Sequence, residues 1–256
     1  DTINHVRLGD QTARNMTILF TDIRSFTELS ETMSPEDNFN FINAYLRRLA
    51  PIIRNNNGFI DKYMGDAIMA LFEVRSDYAL RAVIEIQEVL HAYNRERVEK
   101  GRLPIRAGAG LHTGEIMLGT VGEEQRMQGT VISDAANLAS RLESLTKEYG
   151  VDILISQSTL NDCECRQDFT VRYLGRLKVK GKHQPVSLYE VLNALEEKQR
   201  NLRLEAQEDF LAAFRAMDED NYVEAATLLE AILSRNDEDQ PAKRYWEDCR
   251  SRMTQR

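Results

Sequence analysis

Apolar residues recur with two different periods along this 256-residue chain, and their order predicts a mixed fold of helices and strands. Short apolar runs rich in β-prone residues are typical of strands, and they occur at residues 16–20, 59–64 and 67–72. Between the first two runs, Ser34-Pro35 is a helix-start signal. The apolar positions that follow recur at helical spacing as far as Gly58.

The pattern continues with a second amphipathic helix, which we predict to be capped by Asp77 and to end near Gly101. Two further strand-like runs, residues 105–112 and 115–121, predict a β pair around Thr113-Gly114, followed by a polar loop at residues 122–128. The order strand, helix, strand, strand, helix, strand predicts an α+β fold. Its core would be ferredoxin-like (βαββαβ), an antiparallel sheet with helices on one face.

The rest of the chain predicts a third helix, capped by Asp134 and ended by Gly150, and additional C-terminal strands at residues 153–156, 170–179 and 186–191. Composition then changes to helix formers after Leu192. We therefore expect three segments: a lead-in at residues 1–15, a main domain at 16–194 and a small all-helical tail at 195–256. The lead-in is expected to follow an upstream region of a longer protein.

Apolar residues of the tail follow an order that resembles one tetratricopeptide-type helical hairpin, from residue 205 to residue 249. A single unit of this kind cannot bury its own apolar face. We expect the tail to pack on the main domain, on a partner chain or on a further segment.

Composition and charge narrow the possible functions. A hydrophobic content of 42% is ample for a core, and a formal net charge of −8 argues against binding to nucleic acid or to an anionic membrane, because both require a basic face. The three cysteines give neither an even count nor a repeated CxxC, which fits a reducing cytoplasm. The sequence has no apolar run of about 18 residues, the length that a membrane helix needs.

Two aspartates stand where strands end. Asp22 follows the first strand, and Asp66 lies at the tip of the hairpin with turn Gly65-Asp66. If the two strands are neighbours, both carboxylates can share divalent cations of the Mg²⁺ type, which prefer oxygen ligands. Either aspartate alone would more often be a turn former or a helix cap.

A third segment favours the metal-binding role of the two aspartates over a purely structural one. The chain contains Asp22-Ile23-Arg24-Ser25-Phe26-Thr27, then Lys62-Tyr63-Met64-Gly65-Asp66, then Asn137-Leu138-Ala139-Ser140-Arg141-Leu142. In this order and spacing the three motifs resemble the DIxxFT, KxxGD and VNLASRL motifs of the class III nucleotidyl cyclases, the adenylyl and guanylyl cyclases. The resemblance extends over residues 16–192 and implies the ferredoxin-like core predicted above.

The resemblance implies that a nucleoside triphosphate cyclises when its ribose 3′-hydroxyl attacks the α-phosphate and pyrophosphate leaves. Asp22 and Asp66 would hold two divalent cations, Mg²⁺ or Mn²⁺, with the carbonyl of Ile23 as a further ligand. The backbone N–H groups that would face the phosphates belong to Ser25, Phe26 and Thr27.

Other groups would act on the reacting part of the substrate. By resemblance, Arg141 stabilises the charge that develops at the α-phosphate, and Asn137, on the same face of the helix, orients the ribose. Lys180 resembles a lysine that reaches the terminal phosphates, and Arg126 is a possible helper.

Base selection in this family depends on two positions, and Lys62 and Thr130 match the adenine-selecting pair. A lysine donates to adenine N1 and a threonine accepts from the exocyclic amine, whereas guanine presents the reverse pattern. Gly129 and Ser133 depart from residues frequent in the family beside this pocket. The sequence therefore favours ATP.

The sequence favours an adenylyl cyclase that works as a homodimer with shared sites, and it has three alternatives. A guanylyl cyclase would place Glu and Cys at positions 62 and 130, and a diguanylate cyclase would need a GGDEF-like hairpin that Met64-Gly65-Asp66 does not provide. A silent module that only binds nucleotide or dimerises would usually lack a metal aspartate or the helix arginine. An upstream sensor or regulatory domain is the expected partner in the longer protein.

Overall fold

The structure of the protein is a computed structural model that describes residues 11–123, 126–178 and 185–254. The strands are β1 (Gln11–Ile23), β2 (Gly58–Met64), β3 (Ala67–Phe72), β4 (Ala107–Glu123), β5 (Arg126–Ile132), β6 (Ile153–Ser156), β7 (Val171–Leu177) and β8 (Val186–Val191). The helices are α1 (Phe26–Glu31), α2 (Pro35–Asn55), α3 (Ser76–Glu99), α4 (Asp134–Tyr149), α5 (Gln157–Asp162), α6 (Glu197–Glu205), α7 (Gln207–Asp218), α8 (Tyr222–Arg235) and α9 (Gln240–Thr254).

One sheet organises these elements, in the order β2-β3-β1-β4-β6-β8-β7, with β5 paired to β4. The first four strands pair antiparallel, and β6 extends the sheet in parallel with β4. This order is that of the predicted ferredoxin-like core with additional C-terminal strands, so the predicted fold class is confirmed.

The start of α2 illustrates how local sequence produces these elements. The Ser34 hydroxyl accepts the Asp37 N–H at 3.1 Å, and Pro35 occupies the first helical position. The apolar stripe of α2, including Phe41, Tyr45 and Leu49, is buried in the main core. The predicted N-terminus of this helix is confirmed. The predicted apolar face is only partly right, because Leu49 and Ile53 are buried but Phe39, its first position, is exposed.

The predicted β pair around Thr113-Gly114 is wrong, because β4 runs through this point as one strand. It pairs with β1 over the whole of β1, and the Thr113 hydroxyl lies 2.8 Å from the Thr17 hydroxyl. Most of the predicted polar loop at residues 122–128 also belongs to strands, because β4 and β5 form a hairpin. Cross-strand pairing has therefore overridden the local turn signal.

Two predicted helix caps are also wrong. The cap of α4 is Ser133, whose hydroxyl accepts the Ala135 N–H at 2.8 Å, and Asp134 is the first helical residue. Asp77 lies inside the first turn of α3, where its carboxylate instead accepts the N–H groups of Glu164 and Cys165 at 3.0 and 2.7 Å. Gly150, with φ 66°, ends α4 as predicted.

The helical tail packs on the main domain, which is one of the three expected possibilities. Its buried residues, among them Phe210, Leu229 and Ile232, share one apolar cluster with Leu142 of α4 and Leu188 of β8. Four helices form the described part of this tail, residues 195–254, and its likeness to a tetratricopeptide hairpin stays a prediction.

Two buried ion pairs connect the tail to the sheet. Arg172 of β7 donates to Asp239, which precedes α9, at 2.7 Å, and both side chains are fully buried. Arg203 of α6 donates to Glu190 of β8, which lies opposite Arg172 in the strand register. Each arginine therefore has a carboxylate partner on the other side of the junction.

Within the described residues, no helix combines the length and the apolar composition needed to cross a membrane.

We predict that Asp239→Asn will lower the free energy of unfolding by roughly 3–5 kcal/mol, because it leaves the buried Arg172 charge without its partner. Asparagine can still cap α9, so the decrease in unfolding free energy measures the loss of the negative charge and not the loss of the cap. The matched control is Asp248→Asn, which breaks an exposed pair with Arg252 and should cost less than about 1 kcal/mol. Chemical denaturation measures both values, and equal losses would contradict the prediction.

Candidate active site

Asp22 and Asp66 meet at one end of the sheet. Asp22 is the penultimate residue of β1, and Asp66 lies in the two-residue turn between β2 and β3. Because β1 pairs with β3 as far as Thr21 opposite Ile68, that turn lies beside the end of β1. The Ile23 N–H donates to Asp22 Oδ1 at 3.0 Å and to Asp66 Oδ2 at 3.2 Å. The structure therefore brings the two predicted carboxylates together.

The proximity of these carboxylates has an electrostatic cost. Burial raises the pKa of Asp22 to about 7, with further contributions from the hydrogen bond and negative charge of Asp66 and from the charge of Glu143. Like charges that share a partly buried site disfavour ionisation. A bound cation would offset this repulsion.

The donor set around Asp22 fits a hard divalent cation. It is a small set, because no cluster of three or more His, Cys, Asp or Glu side chains within the described residues could hold a metal. Two carboxylates and the Ile23 carbonyl suit Mg²⁺, which usually keeps waters and binds through one or two carboxylates plus substrate phosphates.

The segment after β1 turns directly into α1. Ser25 precedes this helix in a left-handed conformation, with φ 53°. The Phe26 ring stacks on Phe41, with centroids 6.2 Å apart, so this side chain belongs to the core. The first N–H groups of an α-helix have no acceptor within the helix, so the predicted phosphate contacts of Ser25, Phe26 and Thr27 fall to the backbone.

Asn137 and Arg141 are exposed on α4. A Cβ atom on Gly108 would lie 2.2 Å from Thr146 Oγ1, and Gly108 pairs with Asp22, so the turn of α4 at Thr146 lies level with Asp22. Asn137 lies about 13 Å before that turn along the helix axis, and Arg141 about 8 Å before it. Their Cα–Cβ bonds tilt further towards the helix N-terminus. Along the axis of α4, both residues thus lie away from the level of Asp22.

The base-selecting pair is described only in part. Lys62 lies on β2, with Nζ 3.2 Å from Asp61 Oδ2, next to an irregularity in the strand register after Ile60. Thr130 lies opposite Gly119 in the β4–β5 hairpin, and its side chain is outside the described part of the structure. Lys180 lies outside the described residues altogether.

Two residues at the site were missed by the sequence analysis. Tyr45 of α2 is fully buried, and burial together with the charges of Asp22, Asp66 and Glu143 raises the pKa of its hydroxyl above the usual range. Glu143 is half-buried on the side of α4 that faces the sheet. Burial, with a contribution from Asp66, raises its pKa too. The available signal was an acidic residue at an inward position of α4, beside Leu142.

Comparison with known proteins supports the motif assignment. The family model described as "Adenylate and Guanylate cyclase catalytic domain" matches residues 8–193. The chain belongs to this family. The resemblance inferred from the three motifs is thereby confirmed.

Known members of the family include both substrate classes. The chain is 46% identical over 195 residues to an adenylate cyclase of Anabaena cylindrica, a match that covers 74% of this chain and 39% of that protein's length. The structure is similar to the crystal structure of the adenylyl cyclase CyaB from P. aeruginosa, with a TM-score of 0.62, 30% identity and coverage of 71% and 95% of the two chains. It is also similar to the guanylyl cyclase Cya2, with a TM-score of 0.60, 34% identity and coverage of 72% and 94%.

We predict that Asp22→Asn will stabilise the metal-free protein more at about pH 8 than at about pH 5. The folded-state pKa of Asp22 is raised from 3.8 to about 7. Between about pH 3.8 and pH 7, the folded protein therefore keeps a proton on Asp22 that the unfolded chain has released. The free energy of unfolding therefore falls as pH rises from about 4 to about 7 and Asp22 has to ionise in the folded state. Asparagine cannot ionise, so the variant does not show this decrease. Thermal unfolding in EDTA should show a gain in Tm that grows by a few degrees. An equal gain at both pH values would contradict the raised pKa.

Proposed function

We propose that this chain is an adenylate cyclase that converts ATP to 3′,5′-cyclic AMP and pyrophosphate. The observation that carries the proposal is the juxtaposition of Asp22 and Asp66 around the Ile23 N–H, in a chain of the cyclase family that also carries Asn137 and Arg141. The similarity to named adenylate cyclases supports the reaction class.

The residues divide the reaction between them. Asp22 and Asp66, with the Ile23 carbonyl, would hold two cations, Mg²⁺ or Mn²⁺. Such ions lower the pKa of the attacking ribose 3′-hydroxyl and neutralise charge on the triphosphate. The first N–H groups of α1 would hold phosphate oxygens, and Lys180 the terminal phosphates. Arg141 would donate to the α-phosphate as its charge develops, and Asn137 would orient the ribose.

The choice of ATP over GTP rests on Lys62 and Thr130. The comparisons include both adenylyl and guanylyl cyclases, so they favour neither base by themselves. Lysine and threonine supply the donor and acceptor that adenine needs, whereas glutamate and cysteine are expected for guanine. The second candidate is therefore a guanylate cyclase, and a silent nucleotide-binding module is the third.

We also propose that two chains share each site. Asn137 and Arg141 lie about 13 and 8 Å along α4 from the level of Asp22, so they are poorly placed to serve the aspartates of their own chain. In a homodimer each site would combine the aspartates of one chain with the Lys, Thr, Asn and Arg of the other. An upstream regulatory domain and a cytoplasmic location complete the proposal.

Incubation of the protein with Mn²⁺ or Mg²⁺ and either ATP or GTP tests the function. We expect cyclic AMP from ATP, little cyclic GMP, and a loss of at least about 10²-fold in Asp66→Asn, because one ligand of both cations is weakened. Asp218→Asn, an exposed aspartate of α7, is the matched control and should retain wild-type turnover. Cyclic GMP as the main product would favour the second candidate, and no cyclic nucleotide from either substrate would favour the silent module.

Mixing two inactive variants tests the shared site. Asp22→Ala and Arg141→Ala should each be inactive alone, since every site then lacks one essential group. After subunit exchange, about half of the dimers are mixed and each has one intact site, so activity should return to at most about a quarter of wild type. A mixture that stays inactive after exchange has been demonstrated by mass spectrometry would contradict the shared site.

A further inference from the structure

The first half of α9 holds the last turn of α4. Arg244 Nη2 donates to Glu148 Oε2 at 3.1 Å, and its guanidinium carbon lies 4.7 Å from the centre of the Tyr149 ring. The hydroxyls of Tyr149 and Tyr245 are 3.1 Å apart. Because the Tyr245 hydroxyl donates its hydrogen bond to the carbonyl of Leu174 on β7, Tyr149 is the donor between the two tyrosines. Helix α9 thus joins the end of α4 to the sheet.

The beginning of α9 is itself anchored. Asp239 accepts the Ala242 N–H at 3.1 Å, as a helix cap does, and also carries the buried ion pair with Arg172. A Cβ atom on Gly150 would lie 2.5 Å from the Gln240 Cβ, so the end of α4 and the start of α9 are in close contact. The junction leaves little room for α4 to shift.

The contact with Arg244 lies on the stripe of α4 that carries the proposed catalytic residues. Asn137, Arg141 and Glu148 are spaced by four and seven residues, and with 3.6 residues per turn they fall on one exposed face. A rotation of α4 by about 20° would move a guanidinium about 8 Å from the axis by about 3 Å. A misplacement of about 1 Å can already cost a factor of about 10² in rate.

We propose that Arg244 and Tyr245 are positioning residues for catalysis, because they fix the rotation and tilt of α4 at which Arg141 and Asn137 meet the substrate. This inference rests on the proposed function. It makes the tail, which lies beyond the residues matched by the family model, a working part of the catalytic unit.

A charge exchange between α4 and α9 tests the proposal. Arg244→Glu and Glu148→Arg should each lower kcat about tenfold, with the KM for ATP changed less than about twofold, and the double variant should recover most of kcat. Tyr245→Phe, which keeps the ring and removes the bridging hydroxyl, should lower kcat in the same way. The matched control is Arg235→Glu, since Arg235 forms an exposed ion pair of the tail with Asp209 that does not involve α4.

Amide hydrogen exchange of residues 146–150 provides a readout that is independent of activity. We expect faster exchange in Arg244→Glu, recovery in the double variant and no change in Arg235→Glu. Wild-type kcat in Arg244→Glu, or a loss of kcat that Arg235→Glu reproduces, would overturn the positioning role. A wild-type protein without cyclase activity would overturn the proposed function and the catalytic role together, while hydrogen exchange would still show whether α9 holds α4.

Discussion

The repulsion between two carboxylates held at one point is the constraint on which the candidate site depends. Asp22 and Asp66 are placed by strand pairing, and a single N–H from Ile23 donates to both. Burial and the neighbouring charge raise the pKa of Asp22, so the metal-free site is electrostatically unfavourable. The buried core beneath it supplies the stability that keeps the carboxylates together. Binding of a cation would therefore lower the free energy of this site.

The position of α4 follows from a second constraint, the close approach of helix and sheet. A Cβ atom on Gly110 would lie 2.1 Å from the Glu143 backbone nitrogen, so glycine is needed for α4 to lie directly on β4. This contact sets the level of every residue along the helix. It turns Glu143 towards the sheet of its own chain, where a Cβ atom on Gly108 would lie 2.9 Å from Glu143 Oε1, and leaves Asn137 and Arg141 exposed further along.

Buried charge gives the tail a defined orientation. Apolar packing around Phe210 would hold the helices against the sheet, but apolar contact alone is not directional. The pairs Arg172 with Asp239 and Arg203 with Glu190 favour the observed arrangement of tail and sheet, because a displaced partner would leave a buried charge unpaired. The same arrangement brings α9 against the last turn of α4. The tail is thereby in direct contact with the proposed catalytic helix.

The sequence by itself determined the family, the fold class and the two carboxylates, because these depend on short motifs and on periodicity within a few residues. The Ser34 cap, the hairpin tip at Asp66 and the stop at Gly150 are all local signals that the structure confirms. Tertiary structure alone decided that β4 continues through Thr113-Gly114, that the charges of the aspartates act on Glu143 and Tyr45, and that the tail packs against α4. These features arise from pairing and packing between residues far apart in the chain. Such contacts outweigh local propensity, and the local sequence pattern does not reveal them.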